Sequence, residues 1–256
     1  MILRGIPIRD GRLEGVVVVA EAPASASTPT PLERAWSHSA AILVGPVTTL
    51  RRVLEGLRDL KAALVLTDVE APARLLRGIP VPTVGGLPAD LFSEGDRARL
   101  DGSTGTVDLP GVTEVHVVTA FLRRPDGKVL LLKRSKQVGS GRGLWAGVSG
   151  FVEAVPPEAQ ARIEVEEETG IARDLPKLLR AGGEVRARQE NRCWVVHPFL
   201  LGVPEVAVRL DWEHTESEWV DPSVLADRPT VPKLAEAFVE VTARERVEKR
   251  PSRTKR

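Results

Sequence analysis

Apolar and polar positions divide the chain into two halves, and each half has its own series of predicted elements. In residues 1–110, the apolar runs GVVVVA (15–20), AAILVG (40–45) and AALVLT (62–67) have the length of buried strands. The leucines of TTLRRVLEGLRDL (48–60) recur at near-helical spacing. A short helix at EAPARLL (70–76) and a hairpin at RARLDGSTGTVDL (97–109) complete this half. The alternation of strands and helices predicts an α/β (α+β) domain.

The second half opens with a predicted strand–turn–strand unit, EVHVVTAFLRR-PDGK-VLLLKRS (114–135). A glycine-rich segment (139–150) then leads into an acidic helix, which Pro156 and Pro157 open and Gly170 closes. Further along, the pattern predicts strands at GEVRAR, CWVVHPFLLGV and SEWV and a helix from Pro232 to Val247.

Proline and glycine in LPGVT (109–113) mark a domain boundary. We therefore predict a domain at 1–112, a second domain at 113–230, and a C-terminal helix with a basic tail at 231–256. The tail RERVEKRPSRTKR is predicted to be a solvated terminus rather than a nucleic-acid-binding arm.

Composition narrows the class of protein. With 42% hydrophobic and 28% charged residues, the chain is typical of globular proteins. A net charge of +1 favours neither nucleic acid nor a membrane as a partner, and no apolar run approaches the ~20 residues that a membrane helix needs. The N-terminus lacks the features of a signal peptide, and the single cysteine, Cys193, suits a reducing compartment. We therefore predict a cytoplasmic location.

The stretch RIEVEEETG (162–170) carries the most specific candidate chemistry. Glu164, Glu167 and Glu168 lie at i, i+3 and i+4, so their carboxylates project from one face of the predicted helix. Taken alone, such a run is most often a solvated helix face. The alternative is a site for a hard divalent cation such as Mg²⁺, which prefers oxygen ligands.

The surroundings of this helix favour the metal site. The stretch GFVEAVPPEAQARIEVEEETGI (150–171) resembles the box of the Nudix hydrolase family, the strand–turn–strand unit precedes it as in Nudix domains, and WEHTESEWV (212–220) follows it. The resemblance covers about residues 113–230 and implies an α/β/α sandwich with a mixed sheet. The positions that match the box are Gly150, Glu164, Val165, Glu167, Glu168, Gly170 and Ile171.

Two positions depart from the family pattern. The box is one residue short between Gly150 and Glu164, which removes its first glutamate and leaves Glu153 as the nearest carboxylate. Ile163 occupies the place of an arginine, and Arg162 lies one residue early, about 100° round the helix. Because that arginine orients the glutamates in the family, its absence bears on the efficiency of catalysis.

The resemblance implies hydrolysis of the diphosphate linkage in a nucleoside diphosphate derivative, by attack of water on phosphorus with Mg²⁺ or Mn²⁺. It implies metal ligands at Glu164, Glu167 and Glu168 and at the carbonyl of Ser149. Glu164 and Glu168 would be catalytic, and the general base would be Glu168 or a glutamate of the 213–218 loop, with Glu216 preferred.

Four residues are candidates for binding the substrate. Arg134, Arg142 and Lys133 could meet phosphates, and Trp145 could stack on a nucleobase. The alternatives are surface charge for the three basic residues and core packing for the tryptophan. The alternative function for the whole domain is a nucleotide-binding sensor without turnover, which Ile163 and the shortened box favour.

The first half resembles the swivelling phosphohistidine domain of phosphoenolpyruvate-utilising enzymes, with its GIP, VGG and DGSTGTV segments. The segment that carries the phosphorylated histidine in that family is missing here, and His38 in SHSAAI (37–42) precedes the wrong strand. We therefore expect a swivelling β/β/α-like domain without catalysis that gates substrate or forms a homodimer.

Overall fold

The computed structural model describes residues 1–20, 29–53, 60–68 and 81–243. The helix predicted at 70–76 and the basic tail from 244 onward lie outside these residues, as does part of the helix predicted at 48–60. The chain forms two compact units. The first consists of Met1–Glu114 with Arg188–Cys193, and the second consists of Val115–Ala187 with Trp194–Arg256.

The first unit is built on a mixed eight-stranded sheet of order β1-β8-β7-β3-β4-β5-β6-β2. Strands β3 to β6 run parallel, and the outer pairs are antiparallel. Two helices, α1 and α2, belong to the same unit. The elements are β1 Ile2–Arg4, β2 Ile6–Arg9, β3 Arg12–Val19, α1 Pro31–Trp36, β4 Ala41–Gly45, α2 Val47–Val53, β5 Ala62–Leu66, β6 Thr83–Gly85, β7 Arg97–Asp101 and β8 Thr106–Asp108.

Strands β4 and β5 are buried at every residue, which explains their unbroken apolar sequences. Alternate residues feed two separate cores. Ile42 and Val44 join one cluster, whereas Leu43 joins the other. The sheet is therefore covered on both faces.

Residues 188–193 belong to the first unit although they lie far along the chain. The Arg188 guanidinium donates two hydrogen bonds to Asp96, one of them over 2.8 Å, and a third to the Leu91 carbonyl over 2.9 Å. Cys193 is fully buried in the same core as Val17. This stretch thus completes the first unit.

The second sheet also has eight strands, of which β9, β14 and β15 run across the division between the two units. Its order is β11-β10-β9-β15-β13, with β12 paired to β9, β14 to β15 and β16 to β10. The elements are β9 Thr113–Arg123, β10 Val129–Arg134, β11 Trp145–Ala146, β12 Val148–Phe151, α3 Pro157–Thr169, β13 Lys177–Ala181, β14 Val185–Gln189, β15 Arg192–Gly202, β16 His214–Val220 and α4 Leu234–Thr242.

A helix packs on each face of this second sheet. Val165 of α3 joins a cluster with Ala120 and Leu122, whereas Val241 of α4 joins a cluster with Phe121. Because neighbouring residues of a strand point to opposite faces, the two helices lie on opposite sides. The predicted α/β (α+β) class with mixed sheets is confirmed, and the second unit has three layers.

Several boundaries differ from the sequence pattern. The glycine-rich segment contains two short strands, β11 and β12, and α4 begins at Leu234 rather than Pro232. The ranges 1–112, 113–230 and 231–256 stay a prediction, as does the swivelling-domain resemblance. Within the described part of the chain, no helix is both long and apolar enough to cross a membrane.

Candidate metal and active site

Helix α3 presents its three glutamates at three depths. Pro157 occupies the first turn, where its missing N–H costs nothing, and Gly170 ends the helix in the left-handed conformation with φ of 68°. Between these ends, Glu167 is exposed, Glu164 is half-buried and Glu168 is 3% exposed. The glutamates share a helix face, as the spacing predicts, but they meet different environments.

Glu164 occupies the space that a side chain at residue 150 would need. A Cβ placed on Gly150 would lie 1.9 Å from Oε1 of Glu164 and 2.0 Å from its Cδ. Gln160, one turn earlier and 5% exposed, donates from Nε2 to the same Oε1 over 2.8 Å. Glycine at 150 and glutamine at 160 therefore set the position of the Glu164 carboxylate.

Glu168 is held from β12 at its buried end. The backbone N–H of Ser149 donates to both carboxylate oxygens, each over 3.3 Å. Ser149 is placed by pairing with Thr119 of β9, and its hydroxyl donates to the Gly147 carbonyl over 2.9 Å. The sheet thus delivers one backbone donor to the carboxylate.

The turn before β16 brings further acidic groups to this end of the helix. Oδ1 of Asp211 accepts from the Glu213 N–H over 3.1 Å and lies 2.9 Å from Nδ1 of His214. The Glu213 carbonyl accepts from the Ser135 N–H over 2.7 Å, which ties the turn to β10. On the other side of its ring, Nε2 of His214 lies 3.8 Å from Oε2 of Glu168.

Like charges gather around the two inner glutamates. Burial raises the pKa of Glu168 well above its usual range, and the carboxylates of Glu164, Asp211 and Glu213 raise it further. Burial also raises the pKa of Glu164, and Glu213 again contributes. The hydrogen bonds from Ser149 and Gln160 lower these two pKa values in part. The charged neighbours with the largest effects are all anionic, so the site attracts cations.

The family of the chain follows from comparison with known proteins. A sequence model described as the NUDIX domain matches residues 114–241, which is half of the chain. The chain belongs to the Nudix family. The prediction of a Nudix-type pyrophosphohydrolase is confirmed at this level, and a comparison with curated proteins finds no match.

Solved structures that resemble the chain include two proteins at about one-quarter identity. The MutT protein from Methanosarcina mazei Go1 is 26% identical, with 54% of this chain and 98% of that chain covered and a TM-score of 0.47. The E. coli ORF135 protein is 27% identical, with 56% and 99% covered and a TM-score of 0.42. The NUDIX domain of Shewanella oneidensis NrtR, solved with ADP ribose, is 20% identical, with 53% and 89% covered and a TM-score of 0.43.

The donor chemistry of this Nudix site fits a hard divalent cation. Glu164, Glu168 and Glu213 offer carboxylate oxygens, which Mg²⁺ and Mn²⁺ prefer. In the described ranges, no group of three or more histidine, cysteine or acidic side chains is close enough to hold a metal ion as it stands. The ligand set Glu164, Glu167, Glu168 and Ser149 therefore stays a prediction.

The glutamates of the 213–218 loop differ in their surroundings. Glu216 lies opposite Lys133 in the β10–β16 ladder and accepts a hydrogen bond from its ammonium group over 2.8 Å, with 56% of its side chain exposed. Glu213 instead acts through its charge on Glu164 and Glu168. The sequence favoured Glu216 as the base, because its pairing with Lys133 depends on the register of β16, which the sequence does not show.

The predicted substrate-binding residues have partners of their own. Nε of Arg134 donates to the Ser140 carbonyl over 3.0 Å, and Nε of Arg142 donates to the Val138 carbonyl over 2.8 Å. Both arginines thus brace the glycine-rich loop. Lys133 Nζ and Arg228 Cζ lie 5.8 and 5.1 Å from the Trp145 ring centroid, and the ring packs on the core beneath α4. Substrate binding by these residues stays a prediction.

Arg162 does not take the place of the missing Nudix arginine. Its guanidinium donates to Glu158 on its own helix and to the Pro176 carbonyl over 2.6 Å. The orienting hydrogen bond to Glu164 comes from Gln160 instead. Sequence reasoning missed Gln160, although its spacing of four residues from Glu164 was a readable signal.

Proposed function

We propose that this Nudix protein hydrolyses the diphosphate linkage of a nucleoside diphosphate derivative with the help of Mg²⁺ or Mn²⁺. One observation carries the proposal: the two inner glutamates of α3 are surrounded by further carboxylates at a site where burial and like charge oppose their ionisation. A cation offsets that repulsion, and a diphosphate brings its own need for one.

The residues of the chain have distinct tasks in this proposal. Glu164, Glu167 and Glu168 would bind the cations, with the Ser149 carbonyl as a further ligand. When bound, the ions neutralise charge on the diphosphate and lower the pKa of a coordinated water. Gln160 keeps the Glu164 carboxylate in place, and the Ser149 N–H does the same for Glu168.

A general base must accept a proton from the attacking water. We assign this role to Glu213, because its charge acts on both inner glutamates, whereas the Glu216 carboxylate is bound to Lys133. Glu168 is the alternative base. Burial raises the pKa of Glu168, which makes its carboxylate a better proton acceptor once it is ionised.

The test is a hydrolysis panel with the full-length protein. Nucleoside triphosphates, ADP-ribose, nucleotide sugars and dinucleoside polyphosphates are each incubated with Mg²⁺ and with Mn²⁺, beside a Glu168→Gln variant. We expect turnover that needs metal and is lost in the variant. Absence of turnover from every substrate would refute the proposal.

A second candidate function is a nucleotide-binding sensor that does not turn its ligand over. The observation in its favour is Arg162, which is bound to Glu158 and the Pro176 carbonyl and leaves no arginine on the catalytic face of α3 at the box position. A panel compound that raises the melting temperature and is recovered unchanged would support the sensor.

We also propose a cytoplasmic location and a homodimer. The location rests on the single cysteine, Cys193, which cannot form a disulfide within the chain and suits a reducing compartment. The homodimer rests on the expected role of the first half. Light scattering after gel filtration tests the dimer, and a mass of one chain would exclude it.

A further inference from the structure

His214 is buried beside the predicted metal ligands, and only one of its two ring nitrogens has a hydrogen-bond partner among the described residues. No part of its side chain is exposed, and Nδ1 lies 2.9 Å from Oδ1 of Asp211. Its other ring nitrogen, Nε2, is buried and has no hydrogen-bond partner among the residues that the structure describes. Buried ring nitrogens are rarely left in this state without a reason.

The atom that Nε2 faces is also poorly satisfied. Oε2 of Glu168 lies 3.8 Å from Nε2, and its hydrogen bond to the Ser149 N–H is long, at 3.3 Å, and shared with Oε1. A hydrogen bond between the two atoms requires a shift of less than about 1 Å, which is within reach of one carboxylate torsion. Nε2 of His214 therefore lies just beyond hydrogen-bonding distance of Oε2 of Glu168.

From this geometry we infer that His214 is a positioning residue for Glu168, aimed by Asp211. Asp211 orients the ring, because its Oδ1 lies 2.9 Å from Nδ1 and also accepts a hydrogen bond from the Glu213 N–H. A hydrogen bond that closes the 3.8 Å distance between Nε2 and Oε2 of Glu168 aligns these two atoms. His214 thereby fixes the second oxygen of Glu168 while the first remains available to a cation.

The inference rests on the proposed function, since a positioned Glu168 matters through the metal it binds. Partners of this kind behind a metal ligand typically change metal affinity by about 10- to 100-fold when they are removed. A histidine that only fills space would change thermal stability and leave the metal affinity of the folded protein as it is.

Two amide variants separate the ring nitrogens. His214→Gln retains a polar atom near the position of Nε2, and His214→Asn retains one near Nδ1. We measure Mn²⁺ affinity by titration calorimetry and melting temperature without metal. We expect His214→Asn to weaken Mn²⁺ binding by about 10- to 100-fold and His214→Gln to stay within about threefold of wild type. His116→Asn, in the exposed pair of His116 with His197, is the control and should bind Mn²⁺ normally.

A metal-free measurement keeps this test independent of the proposed function. The imidazole ¹⁵N shifts of His214 are recorded in wild type and in Glu168→Gln. We expect Nε2 to shift and Nδ1 to stay unchanged. If wild type binds no Mn²⁺ but its Nε2 shift differs from that of Glu168→Gln, the metal site is refuted and the contact between His214 and Glu168 is supported. An unchanged Nε2 shift, or normal Mn²⁺ affinity in His214→Asn, would overturn the role of His214.

Discussion

Gln160 donates a hydrogen bond from Nε2 to Oε1 of Glu164 over 2.8 Å, one helical turn before it. The donor is a neutral amide, whereas Arg162, the arginine beside the box position, binds the Pro176 carbonyl and Glu158. Burial raises the pKa of the Glu164 carboxyl, and the hydrogen bond from Gln160 lowers it in part.

Replacing Gln160 by Leu should weaken the metal site without unfolding the protein. The variant keeps the volume of the buried side chain but loses the donor, so Glu164 is free to turn. We expect Mn²⁺ affinity to fall about 10-fold and stability to fall by about 1 kcal/mol. Calorimetric titration and thermal melting measure the two effects. Gln189→Leu, at an exposed strand end, is the control, and equal affinities in the two variants would contradict the role of Gln160.

Gly150→Ala should displace Glu164 rather than the backbone. The added Cβ would meet Oε1 of Glu164 at 1.9 Å, and the carboxylate is the flexible partner in that contact. We expect hydrolysis to fall at least about 10-fold, with a melting temperature close to that of wild type. Gly139→Ala lies in the same glycine-rich loop with nothing within 4 Å of the new Cβ, and it should remain fully active.

The metal-free protein should become less stable as pH rises above about 4.5, through the contribution of Glu168. The pKa of Glu168 is higher in the folded state than in the unfolded state, so the folded state keeps this proton to a higher pH. Its contribution to stability is complete below the unfolded pKa and is lost as pH rises through the folded pKa. Glu168→Gln removes this loss and should melt several degrees above wild type at pH 8, with the difference closing toward pH 4.

Glu166→Gln, on the same helix, should change stability with pH in the direction opposite to Glu168→Gln. Its hydrogen bond from Arg173 lowers the pKa of Glu166, so its stabilisation is present above the unfolded pKa and is lost as pH falls. The Glu166→Gln variant should melt slightly below wild type at pH 8.

Saturating Mn²⁺ should reverse the order of melting temperatures of wild type and Glu168→Gln, because only wild type keeps the ligand. Parallel pH curves for wild type and Glu168→Gln would disprove the assignment.

Glu213 and Glu216 provide a direct comparison between two candidate bases. Glu213→Gln should lower kcat by about 100-fold, which is the lower range for loss of general base catalysis. Glu216→Gln breaks only a partly exposed ion pair with Lys133, which is worth about 1 kcal/mol or less, so activity should change less than about fivefold. Steady-state kinetics at saturating Mg²⁺ measure both variants. A larger loss of kcat in Glu216→Gln than in Glu213→Gln would identify Glu216 as the base.

Arg188→Met should destabilise the first unit strongly. The substitution removes the guanidinium, which is only 3% exposed, from Asp96 and the Leu91 carbonyl, and breaking such a buried pair costs about 3–5 kcal/mol. Arg12→Met breaks an Arg–Asp pair made through Nε alone, whose arginine is 81% exposed, and should cost much less stability. Denaturant unfolding measures both, and similar losses would contradict the role given to Arg188.

The parts of this structure that sequence could predict are those fixed by local pattern. Fully apolar runs predicted β4 and β5, and the spacing of Glu164, Glu167 and Glu168 predicted their shared helix face. The depth of each glutamate could not be predicted, because burial depends on what packs over the helix. The Asp211–His214–Glu168 arrangement was also beyond reach, since it requires the turn before β16 to meet the end of α3.

The stretch 188–193 has a consequence for the order in which the protein can be completed. The first unit holds Arg188 and Cys193 in its interior, and both are translated only after all of residues 115–187. N-terminal domains often finish folding while the rest of a chain is still on the ribosome. Here the last segment of the first unit is translated only after the Nudix box at 150–171, so the first unit cannot be complete before that part of the second unit has been made.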